Sequence, residues 1–248
     1  MLREHKLKLF KGKINIIFFM LSFFTGLTFA NGVSLDRNRI VFNEKDESKT
    51  INIVNNTNGI YLVKTGISST SDGKGDSPFT TLPPLSRLGE NSNNAIRIIR
   101  KESNLPKDRE SLFYFYATII PSSSISDNEV DSENIKSRLS IGMRIIIKCF
   151  FRPQGLSISV QESYDKVFFK KLGNKIVLMN TSPYYLTLSS LKFGNTQVKI
   201  DSYNNMVSPF SQIQFSDDVY ENGEIHVRFR NDFGGETDIV SYNLSSVR

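Results

Sequence analysis

The strongest restriction on the fold is a series of short runs rich in β-branched and aromatic residues, with turn-forming residues between them. The first half of the chain contains five such runs: Arg39–Phe42, Thr50–Val54, Ile60–Val63, Ala95–Arg100 and Leu112–Ile120. Asn55–Gly59 and Pro83–Pro84 are typical of the turns that separate strands. Because no segment keeps a 3.6-residue apolar period, the pattern predicts an all-β protein made of β-sandwiches.

The strand pattern restarts after Pro153–Gly155. The second series of predicted strands comprises Leu156–Val160, Lys166–Phe169, Lys175–Met179, Tyr185–Leu188, Val198–Ile200, Gln212–Phe215 and Ile225–Phe229. We therefore predict two sandwich domains, residues 31–153 and 154–248, which are roughly 120 and 95 residues long and lie in the usual domain range. The polar stretch Pro121–Ser137 is predicted to be a loop in the first domain.

Residues 1–30 have the composition of a secretory signal peptide. Basic residues between Arg3 and Lys13 precede an apolar stretch, Ile14–Phe29, and Ala30 provides a small residue for cleavage. An uncleaved membrane anchor is the alternative, but 16 apolar residues are fewer than the roughly 20 that a spanning helix needs. We therefore expect an exported chain that is not stably inserted in a membrane.

The positive charge of the chain is concentrated in this leader. The full sequence has a net charge of +6, whereas residues 31–248 carry 26 Lys and Arg and 24 Asp and Glu, a net charge of +2. This small excess does not favour nucleic-acid binding. The single cysteine, Cys149, excludes an intrachain disulfide, and its place in an apolar run predicts a small buried side chain.

The residues that catalysis or metal binding would need are scarce. After residue 30 the chain has one histidine, His226, and one cysteine, so neither a Ser-His-Asp nor a Cys-His arrangement is identifiable. The same scarcity argues against zinc ligation by His and Cys, and no pair of carboxylates suggests a glycosidase. We expect no catalytic residues, no metal and no cofactor.

The segment Arg138–Lys148 contains an unusual strand pattern. Leu139, Ile141 and Met143 alternate with small or polar residues, so their side chains share one face of an extended strand. Such a row of side chains can cover the core of its own domain, or the strand can pair with another protein that lacks a strand. Lys148 is out of phase with the three apolar residues, which predicts a twist or bulge between them.

Six short motifs in a fixed order carry a resemblance to a known family. They are Gly32–Arg39, Thr81–Leu85, Leu105–Phe113, Lys148–Pro153, Asn180–Leu186 and Asn231–Gly235. The chain resembles the PapD-like periplasmic chaperones of the chaperone–usher system over essentially all of residues 31–248. The resemblance implies two immunoglobulin-like domains in an L or boomerang arrangement, with a cleft between them.

The resemblance also implies a binding site for pilus or fimbrial subunits. Arg39 and Lys148 match the cleft cations that anchor the C-terminal carboxylate of a subunit, as charge-assisted hydrogen bonds would allow. Leu139, Ile141 and Met143 match the donor residues that fill the open groove of a subunit lacking its last strand. An outer-membrane usher in a Gram-negative bacterium is the second implied partner, and the periplasm is the implied location.

Glu110, Arg152 and Asp232 match a charge network that holds the two domains of the family together. The loop before the donor strand is longer than expected for the short-loop subfamily, yet the paired cysteines that are associated with the long-loop subfamily are absent. The choice between rod-forming pili and thin fibres therefore stays open. A structural or adhesive fimbrial subunit is the alternative function, although such a subunit should carry a donor extension and lack a final strand. The sequence also leaves open whether the free chaperone covers its donor strand by self-association.

Overall fold

The computed structural model describes residues 31–101, 104–122, 141–173, 175–201, 205–216 and 224–245. The predicted signal peptide, the donor residue Leu139 and most of the predicted loop Pro121–Ser137 lie outside these ranges. Both sandwiches belong to one compact unit, Val33–Arg248. No helix in the described ranges combines the length and apolar character needed to cross a bilayer.

The described part of the first sandwich contains nine strands in two sheets. Its strands are β1 (Val33–Leu35), β2 (Arg39–Asn43), β3 (Ser48–Asn55), β4 (Tyr61–Ser68), β5 (Phe79–Leu82), β6 (Leu85–Leu88), β7 (Asn93–Arg100), β8 (Ser111–Pro121) and β9 (Met143–Arg152). One sheet has the order β1-β3-β7-β5, and the other has the order β2-β9-β8-β4-β6. Strand β2 runs parallel to β9, whereas the other pairs are antiparallel.

The core of this sandwich follows from side-chain alternation. In β8, Phe113, Phe115, Ala117 and Ile119 are buried, while the residues between them face outward. Phe79, from the opposite sheet, makes edge-to-face contacts with Phe42 at 5.0 Å and with Phe113 at 5.2 Å between ring centroids. All five runs predicted for this half are therefore confirmed as strands.

Among its described residues, the second sandwich contains a short α-helix, a 3-10 turn and nine strands. Its elements are α1 (Val160–Ser163), a 3-10 turn (Tyr164–Lys166), β10 (Val167–Leu172), β11 (Lys175–Asn180), β12 (Leu186–Phe193), β13 (Thr196–Gln197), β14 (Met206–Val207), β15 (Ser211–Ser216), β16 (Ile225–Phe229), β17 (Val240–Tyr242) and β18 (Leu244–Ser245). The sheets have the orders β15-β11-β10-β18 and β13-β12-β16-β17, and β14 pairs with β12. A separate apolar core lies between these sheets.

The predicted strand Leu156–Val160 is wrong. Residues 156–159 form no strand, and helix α1 begins at Val160. The Ser159 hydroxyl accepts the Glu162 N–H at 3.3 Å, and the Glu162 carboxylate accepts the Ser159 N–H at 2.7 Å. This reciprocal pair is a capping box, whose S-x-x-E spacing is visible in the sequence. The alternating Leu156, Ile158 and Val160 instead pack against the core from outside the sheets.

The predicted strand Val198–Ile200 is also wrong, because strand β13 ends at Gln197. The Val198 N–H still donates to the Leu191 carbonyl at 2.9 Å. Val198 and Ile200 are partly buried against the second core. Val198 and Ile200 can therefore be partly buried although the hydrogen-bonded pairing of β13 with β12 ends at Gln197.

Candidate functional site

Two cations lie side by side at the junction of the sandwiches. Arg39 is the first residue of β2, and it pairs in parallel register with Lys148 of β9. Their neighbours Ile40 and Cys149 are buried in the first core, so both cationic side chains leave from the outer face of the sheet. The structure thus brings together residues that are far apart in the sequence.

Arg39 is held by the backbone of the second sandwich. Its Nη1 donates to the Arg230 carbonyl at 3.1 Å and to the Asn231 carbonyl at 3.0 Å, and its guanidinium lies 5.5 Å from the centre of the Phe150 ring. Burial lowers the pKa of Arg39, and the negative charge of Asp232 only partly offsets this effect. The guanidinium remains charged and is fixed in position.

Lys148 is poorly paired. Its Nζ makes one long hydrogen bond, 3.4 Å, to Oδ1 of Asn205, and none of the described carboxylates forms an ion pair with it. Burial and then repulsion by Arg39 lower its pKa from 10.5 to about 8. Two adjacent cations with an incomplete set of acceptors are suited to binding an anion such as a carboxylate.

We expect Lys148→Met to stabilise the protein at pH 7. The folded-state pKa of about 8 lies below the ordinary value of 10.5, so protonated Lys148 costs stability at neutral pH. That cost falls as the pH rises from about 8 to 10.5, since the unfolded chain then binds more protons than the folded chain. After allowance for partial exposure, the gain should be about 1–2 kcal/mol at pH 7 and smaller at pH 10.

Urea titrations of the wild type and Lys148→Met at pH 7 and pH 10 measure this gain. Lys64→Met, at an exposed position of β4, provides the control for removing a lysine charge. A Lys148→Met protein that is no more stable than the wild type at pH 7 would contradict the expected cost of this charge.

Glu110, Arg152 and Asp232 form one ion-pair network beside the two cations. Arg152 Nε lies 2.7 Å from Glu110 Oε1, and its Nη1 and Nη2 donate to both carboxylate oxygens of Asp232 at 2.7 and 2.8 Å. Glu110 is only 3% exposed and also accepts the Tyr185 N–H at 2.9 Å. The structure thus brings together the three network residues that the sequence singled out.

Burial and ion pairing act against each other in this network. Burial by itself would lower the pKa of Arg152, but its hydrogen bonds to Asp232 and the charge of Glu110 raise that pKa above the ordinary value. Burial raises the pKa of Glu110, while Arg152 acts in the opposite direction. Glu110 and Arg152 come from the first sandwich and Asp232 from the second, so the network connects the two.

The loop Asn231–Gly235 is docked against the first sandwich. The Asn231 side-chain oxygen accepts the N–H groups of Phe233 and Gly235, both at 3.0 Å. Asn38 donates to the Gly234 carbonyl at 3.3 Å, and Gly234 has a φ of +84°. A Cβ at this position would collide with the Asn38 side chain, so glycine satisfies both the backbone conformation and the close packing.

Phe150 is a junction residue that the sequence analysis missed. It is 3% exposed although it lies on the outer face of β9, because Tyr185 and Arg39 cover it. The signal was present in Cys149–Phe151, three successive apolar residues directly after Lys148. Such a run indicates that both faces of the strand are covered.

Two of the predicted donor residues are described: Met143 is the first residue of β9, and Ile141 lies just before it. Ile141 is 72% exposed and Met143 is 46% exposed, whereas Leu139 lies outside the described residues. The pairing of β9 with β8 is unbroken from Met143 to Phe151, so no bulge lies between Met143 and Lys148. Ile145 and Ile147 pack in or against the first core, so Ile141 and Met143 continue that apolar row past the part covered by this domain.

Cys149 is a buried free thiol in the first core. Burial raises its pKa to about 12, so the thiol stays protonated and unreactive at neutral pH. The prediction that Cys149 is a small buried side chain is confirmed.

Comparison with known proteins identifies the class to which this fold and site belong. Residues 32–157 match the pili and flagellar-assembly chaperones, PapD N-terminal domain, and residues 162–241 match the pili assembly chaperone PapD, C-terminal domain. The chain belongs to the PapD family of pilus assembly chaperones.

Individual relatives agree with this membership. The probable fimbrial chaperone ElfD of Escherichia coli O157:H7 is 32% identical over 208 residues, which cover 83% of this chain and 84% of ElfD. The chaperone FocC of Escherichia coli is 31% identical over 225 residues, covering 90% of this chain and 94% of FocC. Membership supports the chaperone function and gives no support to the alternative of a fimbrial subunit.

Solved structures share the fold. The Escherichia coli chaperone DraB has a TM-score of 0.74 at 25% identity, covering 87% of this chain and 97% of DraB. A chain from the complex of the Salmonella enterica SafA pilin with the SafB chaperone also has a TM-score of 0.74 at 25% identity, covering 88% of this chain and 98% of that chain. The predicted all-β, two-domain chaperone fold is confirmed.

Proposed function

We propose that this chaperone binds pilus or fimbrial subunits through the paired cations and the start of β9, and delivers them to an outer-membrane usher. The observation that carries the proposal is the pairing of Arg39 with Lys148, since it places two cations on one face at the junction. Within the described residues, Lys148 has no carboxylate partner of its own. The C-terminal carboxylate of a subunit would supply one.

Arg39 and Lys148 have different parts in this binding. Arg39 is already oriented by two backbone carbonyls, so its remaining N–H groups can be directed at a ligand with little loss of side-chain entropy. Lys148 is repelled by Arg39, and a bound carboxylate would relieve that repulsion. Binding would therefore raise the pKa of Lys148 towards its ordinary value.

The exposed donor residues supply the second part of the binding. An incomplete sandwich exposes an apolar groove and an open sheet edge, both of which promote aggregation. Ile141 and Met143 would enter that groove while the β9 backbone pairs with the open edge, and Leu139 would extend the row by one residue. This is donor-strand complementation, and it consumes no nucleotide.

The remaining assignments belong to the same proposal. We infer that residues 1–30 are a cleaved signal peptide, that the protein acts in the periplasm, and that the domain boundary lies near residue 154. We also infer that the protein has no catalytic activity and needs no cofactor, since binding and release of a subunit require only non-covalent contacts.

Lys148→Ala is expected to weaken subunit capture about 10- to 100-fold, the usual effect of losing a charge-assisted hydrogen bond. The test is co-expression of the tagged chaperone with its neighbouring fimbrial genes, followed by purification and identification of co-purifying proteins by mass. The wild type should retain a stoichiometric pilin-sized partner that Lys148→Ala loses.

Lys64→Ala, on an exposed part of β4, is the matched control and should retain the partner. Thermal unfolding of all three proteins establishes that they are folded. A wild-type protein that captures no pilin-sized partner would refute the proposed function, and a folded Lys148→Ala protein that captures it normally would rule out this anchor.

A further inference from the structure

Phe233 is the most exposed large apolar side chain in the described part of the protein. It is 94% exposed at the tip of the loop Asn231–Gly235, and none of the described residues makes a ring contact with it. A single exposed apolar side chain is ordinary on a protein surface. The features that set Phe233 apart are the rigidity of its loop and the position of that loop.

The loop around Phe233 is rigid because both flanks and the Phe233 backbone itself are fixed. The Phe233 N–H donates to Asn231 Oδ1 at 3.0 Å, and the preceding residue, Asp232, receives two hydrogen bonds from Arg152. The following residue, Gly234, is bonded through its carbonyl to Asn38. An apolar side chain on a pre-organised backbone loses little conformational entropy on binding, which is a property of interface anchors.

The loop is also attached to the carboxylate anchor. Arg39 Nη1 donates to the carbonyl of Asn231, only two residues before Phe233. Because two residues of chain span at most about 7 Å, Phe233 lies close to this hydrogen bond. A peptide whose terminal carboxylate is held by Arg39 and Lys148 would therefore bring its last few residues within reach of the Phe233 ring.

We propose that Phe233 is a further binding residue, which packs against an apolar side chain in the last few residues of the bound subunit. This inference rests on the proposed function, because it takes the subunit carboxylate to be held by Arg39 and Lys148. The anchor would recognise the terminal charge that any chain carries, whereas Phe233 would distinguish subunits by the apolar character of their C-terminal residues.

The first test measures capture by Phe233→Ala in the co-expression system described above. Phe168→Ala, at a half-exposed phenylalanine of the second sandwich, is the control. We expect the chaperone–subunit complex of Phe233→Ala to dissociate about 10-fold faster than the wild-type complex, while the control dissociates at the wild-type rate. Thermal unfolding midpoints of the two free variants should match that of the wild type.

The second test identifies the contact directly. A photo-crosslinking phenylalanine analogue is placed at position 233, and the crosslinked peptide is identified by mass spectrometry. Crosslinks within the last few residues of the subunit would support the proposal. Crosslinks to the usher, to a second copy of the chaperone or to a distant part of the subunit would overturn it, as would the absence of any crosslink.

Two different outcomes separate a wrong role for Phe233 from a wrong proposed function. If Lys148→Ala loses the subunit while Phe233→Ala releases it at the wild-type rate, the anchor stands and the role of Phe233 is refuted. If the wild-type protein captures no subunit, the proposed function itself fails.

Discussion

Arg152→Ala is expected to lower the free energy of unfolding by about 3–5 kcal/mol, the usual cost of breaking a buried ion pair from one side. Glu110 is 3% exposed, and Arg152 provides its cationic partner at 2.7 Å. Without Arg152, the carboxylate must either remain charged in a low-dielectric site or take up a proton. Asp232 would lose both of its hydrogen bonds to Arg152 at the same time.

Urea unfolding followed by circular dichroism measures this loss. Lys74→Ala removes an exposed pair with Asp72, 3.6 Å long, and should leave the midpoint unchanged. The double variant Glu110→Leu with Arg152→Met should recover much of the lost stability, since an apolar pair of similar volume needs no compensating charge. An Arg152→Ala protein as stable as the wild type would mean that the network contributes nothing to the junction.

Combining Ile141→Asp with Met143→Asp is expected to weaken subunit binding by more than about 1000-fold. Each apolar side chain should contribute about 1.5–3 kcal/mol when it is buried in a groove, and a buried unpaired carboxylate costs several kcal/mol more. The isolated chaperone should keep its stability because Ile141 and Met143 are 72% and 46% exposed. Binding and folding are thus expected to respond independently to these substitutions.

Surface-immobilised chaperone and a refolded subunit would give the two dissociation constants. Ile239→Asp introduces the same charge at a 54% exposed residue of the second sandwich and should not alter binding. If the double variant binds the subunit as tightly as the wild type, the start of β9 does not fill the subunit groove. An unfolding midpoint well below that of the wild type would instead mean that these residues cover their own core.

Local sequence patterns predicted most of the strands because alternation records which side of a strand is buried. The same reasoning failed at Leu156–Val160, where alternate apolar residues rest on the core without pairing to a neighbouring strand. The alternation of apolar side chains indicates which residues are buried. A strand also needs a neighbouring strand that pairs with its backbone N–H and C=O groups. The capping pair Ser159 and Glu162 was the local clue that a helix begins there.

Sequence reasoning predicted only those residues of the candidate site that belong to recognisable motifs. Arg39, Lys148, Glu110, Arg152 and Asp232 could be singled out in this way. Phe150 and Phe233 could not be singled out in the sequence because their exposure depends on distant residues. Tyr185 and Arg39 cover Phe150, whereas Phe233 is 94% exposed. The Arg39 side chain and the Asn231 carbonyl are 192 positions apart in the sequence, so no local pattern can reveal their hydrogen bond.

By itself the sequence determined the all-β class, the family, the position of most strands and the residue types available for binding. These properties depend on short-range periodicity and on motifs read in order. Only the tertiary structure decided that Arg39 lies beside Lys148, that Lys148 is poorly paired, and that the loop Asn231–Gly235 is docked on the first sandwich. Strand pairing and burial at the junction arise from contacts between distant segments, which composition and periodicity do not encode.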